Sequence, residues 1–260
     1  MLSVGRLSVD LNCDMGEGME EDADIMPFIS SANIACGYHA GDEETMRRTV
    51  DLALRHQVLV GAHPSFADRE RFGRTDLLER AGSEETGRLL AGLAVQIADQ
   101  LDLLQRICAQ QGTRLHHMKP HGALYNRAAW DPVLGAIVCR AVQLFDPGIF
   151  IYGLSGSPLA SIAERSGLRF VHEVFADRSY REDGKLTPRT EPNALIEDAG
   201  QAARQALVLV KDGVVKTTSG ALIPLRAQTV CIHSDGPHAA LFARSIREEL
   251  LRNGFSIQAP

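Results

Sequence analysis

Seven short apolar runs recur along the chain, and each gives way on its carboxyl side to a polar cluster rich in Gly, His and Asp. The first, Leu7 to Leu11, leads into NCDMGEG, and the second, Ala32 to Ala35, into CGYHAGD. Val58 to Val60 precedes GAHPSFAD, Leu115 to Met118 precedes KPHGALYN, and Phe150 to Ile151 precedes YGLSGSP. Phe170 to Val174 comes before FADRSY, and Thr229 to Ile232 before HSDGP. Runs this short, bounded by turn-forming residues, predict buried β-strands.

The stretches between the runs carry helical spacing. Asp42 is placed to cap a helix whose first turn holds Glu43 and Glu44 and whose apolar face is Met46, Val50, Ala53 and Leu54. A longer helix starts at Ser83, carries the stripe Leu90, Leu93, Ala94, Ile97, Leu101, Leu104 and Cys108, and stops at Gly112. Pro237 suits a first helical position, with Phe242, Ile246 and Leu250 following at intervals of four.

Strands that alternate with helices predict parallel strands joined by right-handed crossovers. Both a doubly wound sheet and a closed barrel satisfy that order. In an open sheet the ligand sits at one switch point, whereas in a barrel every strand's carboxyl end converges on one mouth. Because all seven strand ends carry chemistry-bearing residues, the pattern favours a single-domain (β/α) barrel over residues 1–260, with about seven parallel strands, distorted from the eight-stranded form.

Composition narrows the classes of partner. The 260 residues are 45% hydrophobic and 23% charged, which is ordinary for a globular protein. A net charge of -6 with no Lys/Arg stripe argues against nucleic acid. The apolar stretches are too short to span a bilayer, and the first residues lack the apolar segment of a secretory signal, so a cytoplasmic protein is expected. The five cysteines form no CxxC pair and predict reduced thiols. No GxxxxGK[ST] loop or strand-GxGxxG-helix unit is present, so no nucleotide site is legible in this chain.

The clusters themselves suggest acid–base chemistry. Asp10, Asn12 and Asp14 alternate and so share one side of the first strand, ahead of the Gly16-Glu17-Gly18 turn. His39 and His63 each fall just past a strand end. With Asp14 they form either a general-base arrangement or an Asp/His/His site for a divalent cation. Lys119 and His121 put an ammonium and an imidazole two residues apart, and Lys119 is suited to stabilise charge developing on an oxygen. Glu173, Asp177 and Arg178 combine carboxylates with a guanidinium able to clamp a substrate carboxylate. His233 and Asp235 close the set, Asp235 doubling as a cap for the helix at Pro237. His116 and His117 precede their strand end, where packing is the expected role of at least one. Cys36, three residues before His39, reads as a small buried hydrophobe rather than a nucleophile.

Taken in order, VDLNCDMGEG, ANIACGYHAGD, VGAHPSFADR, KPHGALYN, EVFADRSY and CIHSDGP resemble the LamB/YcsF family, and the similarity spans nearly the whole chain. The resemblance implies a distorted barrel related to deacetylase and glycoside hydrolase barrels. It further implies a role in an ATP-dependent 5-oxoprolinase, opening the lactam of 5-oxoproline to glutamate beside two partner subunits that bind ATP with Mg. In such a reaction Asp14 with His39 or His63 would activate water, and His121 or Glu173 would protonate the ring nitrogen. Lys119 would stabilise the oxyanion or phosphate and Arg178 the substrate carboxylate, with Asn12, Asp177, His233 and Asp235 completing the substrate contacts. The chain departs from the family pattern at Ser234, where Gly is usual, at Arg71, where Gly is usual, and at Thr75, where a second Arg is usual. Two other readings of the same residues are a free-standing metal-dependent deacetylase of amides or sugars and a non-catalytic subunit that binds 5-oxoproline.

Overall fold

Asp10, Asn12 and Asp14 point one way from the first strand while Leu11, Cys13 and Met15 join the apolar core on the other side, and this alternation sets the architecture. The computed structural model describes residues 7–19, 21–232 and 239–260. The strands β1 (Ser8–Met15), β2 (Ser31–Ala35), β3 (Leu59–His63), β4 (His117–Met118), β5 (Phe150–Leu154) and β6 (Arg169–Phe175) pair in parallel in chain order. A short antiparallel hairpin, β7 (Val214–Lys216) with β8 (Leu222–Pro224), stands apart from them. The next strand, β9 (Thr229–Ile232), pairs with both β6 and β1, so the seven strands close into a barrel as the alternation predicts. The hairpin and β10 (Ser256–Ile257), which pairs with β1 through Ser8 and Val9, are additions that the apolar runs do not announce.

Helices surround the barrel: α1 (Asp22–Ile25), α2 (Glu43–Arg55), α3 (Leu77–Arg80), α4 (Ser83–Gln110), α5 (Gly122–Trp130), α6 (Pro132–Phe145), α7 (Pro158–Arg165), α8 (Ala199–Asp212) and α9 (Ala239–Arg252). Their starts follow local chemistry. Asp42 accepts the amide of Thr45 at 2.8 Å to begin α2, and Asp131 accepts those of Val133 and Leu134 ahead of Pro132 in α6. The α4 stripe is buried at Leu93, Ile97, Leu101, Leu104 and Cys108, and Gly112 follows with φ +78°. Leu54 departs from expectation: it is 38% exposed, because Thr49 takes the remaining place on the buried face of α2. Among the described residues no single helix is long and apolar enough to cross a membrane. All five cysteines are buried and unpaired. His233, Asp235 and the helix start at Pro237 lie outside the described residues.

The barrel interior is polar rather than aliphatic. Thr229 donates its hydroxyl to Asp10 Oδ2 at 2.7 Å and accepts from the Asn12 amide at 2.7 Å, and Asn12 donates also to Glu173 Oε1 at 2.9 Å. Ser31 donates to Asp10 Oδ1 at 2.9 Å, and burial raises the pKa of that carboxyl against these hydrogen bonds. His117 fills the space left by Gly61, where an added Cβ would lie 2.1 Å from its Nε2, and its ring stacks on Tyr152 at 4.0 Å. It donates to Asn33 Oδ1 at 2.7 Å, so this histidine has the packing role expected of the pair.

Candidate active site

Above this polar interior, at the carboxyl ends of the strands, lies a cavity of about 520 Å³ whose wall includes Asp14, Glu17, His63, Lys119, His121 and Tyr125. A barrel delivers its functional groups to this end because each strand terminates there and its loop turns outward. Lys119 follows β4 directly and points inward, and it is only 2% exposed. Its ammonium lies 2.9 Å from Asp14 Oδ1, 3.0 Å from Glu173 Oε1 and 3.0 Å from the Cys231 sulfur. Burial opposes the charge, but Asp14 and Glu173 outweigh it and hold the Lys119 pKa well above its ordinary value. The Cys231 thiol is itself pushed well up by burial, so it faces the ammonium as a neutral group.

Asp14 joins three partners. Its Oδ1 takes Lys119 and the Asn33 amide, the latter at 2.8 Å, while its Oδ2 lies 3.3 Å from His63 Nε2. His63 in turn donates Nδ1–H to the Lys119 carbonyl at 2.8 Å. His121 sits 2.9 Å from His63 and donates Nε2–H to the Phe72 carbonyl at 2.9 Å. The loop that presents this carbonyl is tightly wound: Phe72 has φ +57°, and Gly73 follows at +62° within 3.0 Å of where its Cβ would meet His121 and His39. His39 stacks on His121 at 3.8 Å and meets Ser65 Oγ at 3.0 Å and Glu17 Oε1 at 3.1 Å. Burial, with His63 nearby, pushes the pKa of both His39 and His121 down to about 3, so both rings are neutral near pH 7.

The rim of the cavity is basic. Arg74, Arg178, Lys185 and Arg189 all line the cavity, the last three from the segment over residues 176–198 that folds back across the mouth. Arg178 anchors that segment by donating to the Thr187 carbonyl at 2.6 Å and the Ala194 carbonyl at 3.4 Å. Burial, with Arg189 beside it, lowers the Arg178 pKa.

Asp14, His63, Lys119, His121 and Arg178 thus share one cavity, as their motifs anticipate. His39, Asn12 and Glu173 stand immediately behind its wall: Glu173 is fully buried beneath Lys119, and Asn12 joins Glu173 to Thr229. Asp177 is half-buried outside the lining. Five wall or rim residues have no counterpart among the candidate residues of the sequence: Glu17, Tyr125, Arg74, Lys185 and Arg189. Glu17 lies between Gly16 at φ +70° and Gly18 at φ +90°, a turn that aims a carboxylate back over the barrel and that is visible in the sequence as GEG. Lys185 and Arg189 sit in a segment without helix or strand periodicity.

A closed parallel barrel with a buried Lys–Asp pair, converging imidazoles and a basic rim at its carboxyl mouth defines a (β/α)-barrel protein whose ionisable groups gather at one cavity. Similarity to known proteins is specific. The chain belongs to the LamB/YcsF family, whose model matches residues 9–260. It is 48% identical over 257 residues to a 5-oxoprolinase subunit from Bordetella parapertussis, covering 97% of this chain and 98% of that protein. The crystal structure of a lactam utilization protein from Thermus thermophilus superposes with a TM-score of 0.86 at 39% identity, covering 98% of this chain and 100% of that one. The peptidoglycan deacetylase PdaC from Bacillus subtilis shares the barrel alone, with a TM-score of 0.50 at 14% identity over 98% of this chain and 88% of that one.

Proposed function

We propose that this chain is the ring-opening subunit of an ATP-dependent 5-oxoprolinase, converting 5-oxoproline to glutamate with two partner subunits that bind ATP and Mg. The observation that carries the reading is the buried Lys119 ammonium, held by Asp14 and Glu173 at the floor of a cavity with a basic rim. A small ligand with a carboxylate at one end and an amide oxygen at the other matches those two features. The names of relatives at 48% identity, and the lack of a nucleotide motif in the sequence, support the division of labour.

An unstrained five-membered lactam is a stable amide and needs activation. Phosphoryl transfer from ATP to the lactam oxygen supplies it, releasing ADP. Water then adds to the activated carbon, the carbon–nitrogen bond breaks and the nitrogen gains a proton, which leaves an acyl phosphate. A second water hydrolyses this to glutamate and phosphate. In this scheme Asp14 takes the proton from water and returns it to the ring nitrogen. His121 gives its Nε2 hydrogen to Phe72 and, as a neutral ring, has no second proton to spare. Glu173 acts through Lys119, which stabilises the oxygen-borne charge, and Arg178 binds the substrate carboxylate. Asn12 holds Glu173 in place; Asp177, His233 and Asp235 remain substrate contacts in the proposal.

The test is glutamate release from 5-oxoproline by the purified chain, with and without ATP and the two candidate partner subunits, comparing wild type with Asp14→Asn. Release that requires ATP and partners and is lost in Asp14→Asn supports the reading. Release without ATP makes the chain a free-standing hydrolase. No release with partners that are demonstrably active removes the assignment.

A further inference from the structure

His63 Nε2 and His121 Nδ1 face each other at 2.9 Å, deep in the cavity wall. The opposite nitrogen of each ring points at a backbone carbonyl, Lys119 O at 2.8 Å for His63 and Phe72 O at 2.9 Å for His121. A carbonyl only accepts, so those outer nitrogens carry the hydrogens and the two facing nitrogens carry lone pairs. Two lone pairs at that distance require a cation between them, either a proton or a metal ion.

A third donor distinguishes the two. Glu17 Oε1 lies 3.4 Å from His121 Nδ1 and 3.9 Å from His63 Nε2, closing a triangle whose remaining edge is 2.9 Å. A shared proton would also attract a carboxylate, but by charge alone, without setting the three donor atoms at the mutual spacing of a metal ion's ligands. A tetrahedral zinc-type ion with bonds of ~2.0–2.1 Å separates its ligands by about 3.3–3.4 Å, the mean of these edges. His39 does not complete the set in this way. Its ring lies parallel to that of His121, 4° apart with centroids 3.8 Å apart, so the two rings cannot both aim an in-plane lone pair at one ion. Its Nε2 instead meets Glu17 Oε1 at 3.1 Å and fixes the carboxylate.

His116 and His117 also meet, Nδ1 to Nδ1 at 3.1 Å, but among the described residues no third donor converges on them. Among the described residues, the cluster of Glu17, His39, His63 and His121 is the one group of three or more such donors that converges.

We propose that Glu17, His63 and His121 bind a divalent transition-metal ion of the zinc class, with His39 positioning Glu17 and a fourth coordination place open to the cavity. Two His and one Glu with an open place is the donor pattern of sites that bind water. Asp14 Oδ2, 3.3 Å from His63 Nε2, stands beside that open place. This ligand set differs from the Asp14, His39 and His63 combination that their strand-end positions suggest. It rests on donor geometry and is independent of which lactam or amide the protein uses.

The experiment titrates chelator-treated full chain with ZnCl2 by calorimetry and with CoCl2 by visible absorption, with circular dichroism confirming the fold of each variant. One ion per chain and an intense tetrahedral cobalt spectrum are expected. Glu17→Gln and His63→Ala should weaken binding by more than the ~10- to 100-fold typical of a supporting residue, and His39→Ala by about that amount. His56→Ala, an exposed imidazole on the outer surface, should bind as wild type. Folded wild-type chain that takes up less than a tenth of an equivalent (roughly, on the scale of a stoichiometric site) overturns the proposal, as does unchanged affinity in Glu17→Gln. Because the readout is bound metal, its failure leaves the 5-oxoproline reading standing, and failure of that reading leaves the site standing.

Discussion

His63 gives its Nδ1 hydrogen to the main-chain carbonyl of Lys119 at 2.8 Å, so the residue that supplies the buried ammonium also fixes the tautomer of the neighbouring imidazole. The two roles cannot be separated by moving either residue alone. Lys119 holds Asp14 from one side through its side chain, and His63 faces Asp14 from the other, so a shift of β4 displaces all three.

Replacing Lys119 by Met should remove turnover and cost stability together. Asp14 and Glu173 would then be buried without the ammonium that neutralises them, a loss of about 3–5 kcal/mol for a broken buried pair. Turnover should fall by roughly 10²- to 10³-fold or more, the cost of losing an oxyanion contact. Urea unfolding and glutamate release in the assembled complex measure the two effects; a stable, active Lys119→Met chain contradicts the assignment.

Gly122→Ala tests the strained approach behind His121. An added Cβ would lie 2.5 Å from the Gly73 carbonyl oxygen at φ +55°, and Gly73 also accepts the amide of Ala123 at 3.0 Å. Destabilisation should exceed that of Gly112→Ala, whose φ of +78° is similar but whose surroundings are open. The Gly112 change should cost about 1–2 kcal/mol for the backbone conformation alone. Equal urea midpoints for the two variants would mean that the loop yields freely.

Stability should fall as the solution is acidified below the ordinary histidine range, in part through His117. Burial, with His116 and Lys119 nearby, holds its pKa well below 6.5 in the folded chain. The unfolded chain therefore takes up a proton that the folded chain refuses, and stability is fully present above about pH 6.5 and declines below it. Each such group contributes a slope of up to ~1.4 kcal/mol per pH unit. Unfolding of wild type and His117→Gln at pH 7.5 and 5.5 checks this, and a variant with an undiminished slope rules out His117 as the source.

Arg178→Lys should raise KM for 5-oxoproline by about tenfold, the value of one well-placed charged hydrogen bond. An ammonium cannot reproduce the fork that binds both the Thr187 and Ala194 carbonyls and still faces the cavity. The same change should make the segment over residues 176–198 more susceptible to limited proteolysis. Unchanged KM together with unchanged proteolysis would remove Arg178 from both roles.

The barrel and most of its mouth were legible because each relevant residue follows an apolar run directly. Asp14, His63 and Lys119 could be placed at a strand end from such a run, and the structure puts all three on one cavity wall. Glu17 escaped because a Glu between two glycines looks like a solvent-exposed turn; only the backbone at Gly16 and Gly18 reveals that it turns inward. Lys185 and Arg189 escaped for a related reason: the segment carrying them is held by the isolated bridges Arg178–Leu195 and Tyr180–Leu186, which leave no periodic trace. Leu54 shows the reverse error, an apolar residue at helical spacing that the actual face of α2 leaves outside.

The hydrogen-bonded interior has a bearing on how such a protein can change over time. From Asp10 through Thr229, Asn12 and Glu173 to Lys119, every step is a donor matched to an acceptor, so altering one member strands its neighbours inside the barrel. Single replacements along that line should be strongly non-additive and rescued only by a second, compensating one. New ligand preferences are therefore accessible mainly through the rim, at Arg74, Lys185 and Arg189, where a residue can be exchanged without rewiring the column beneath it.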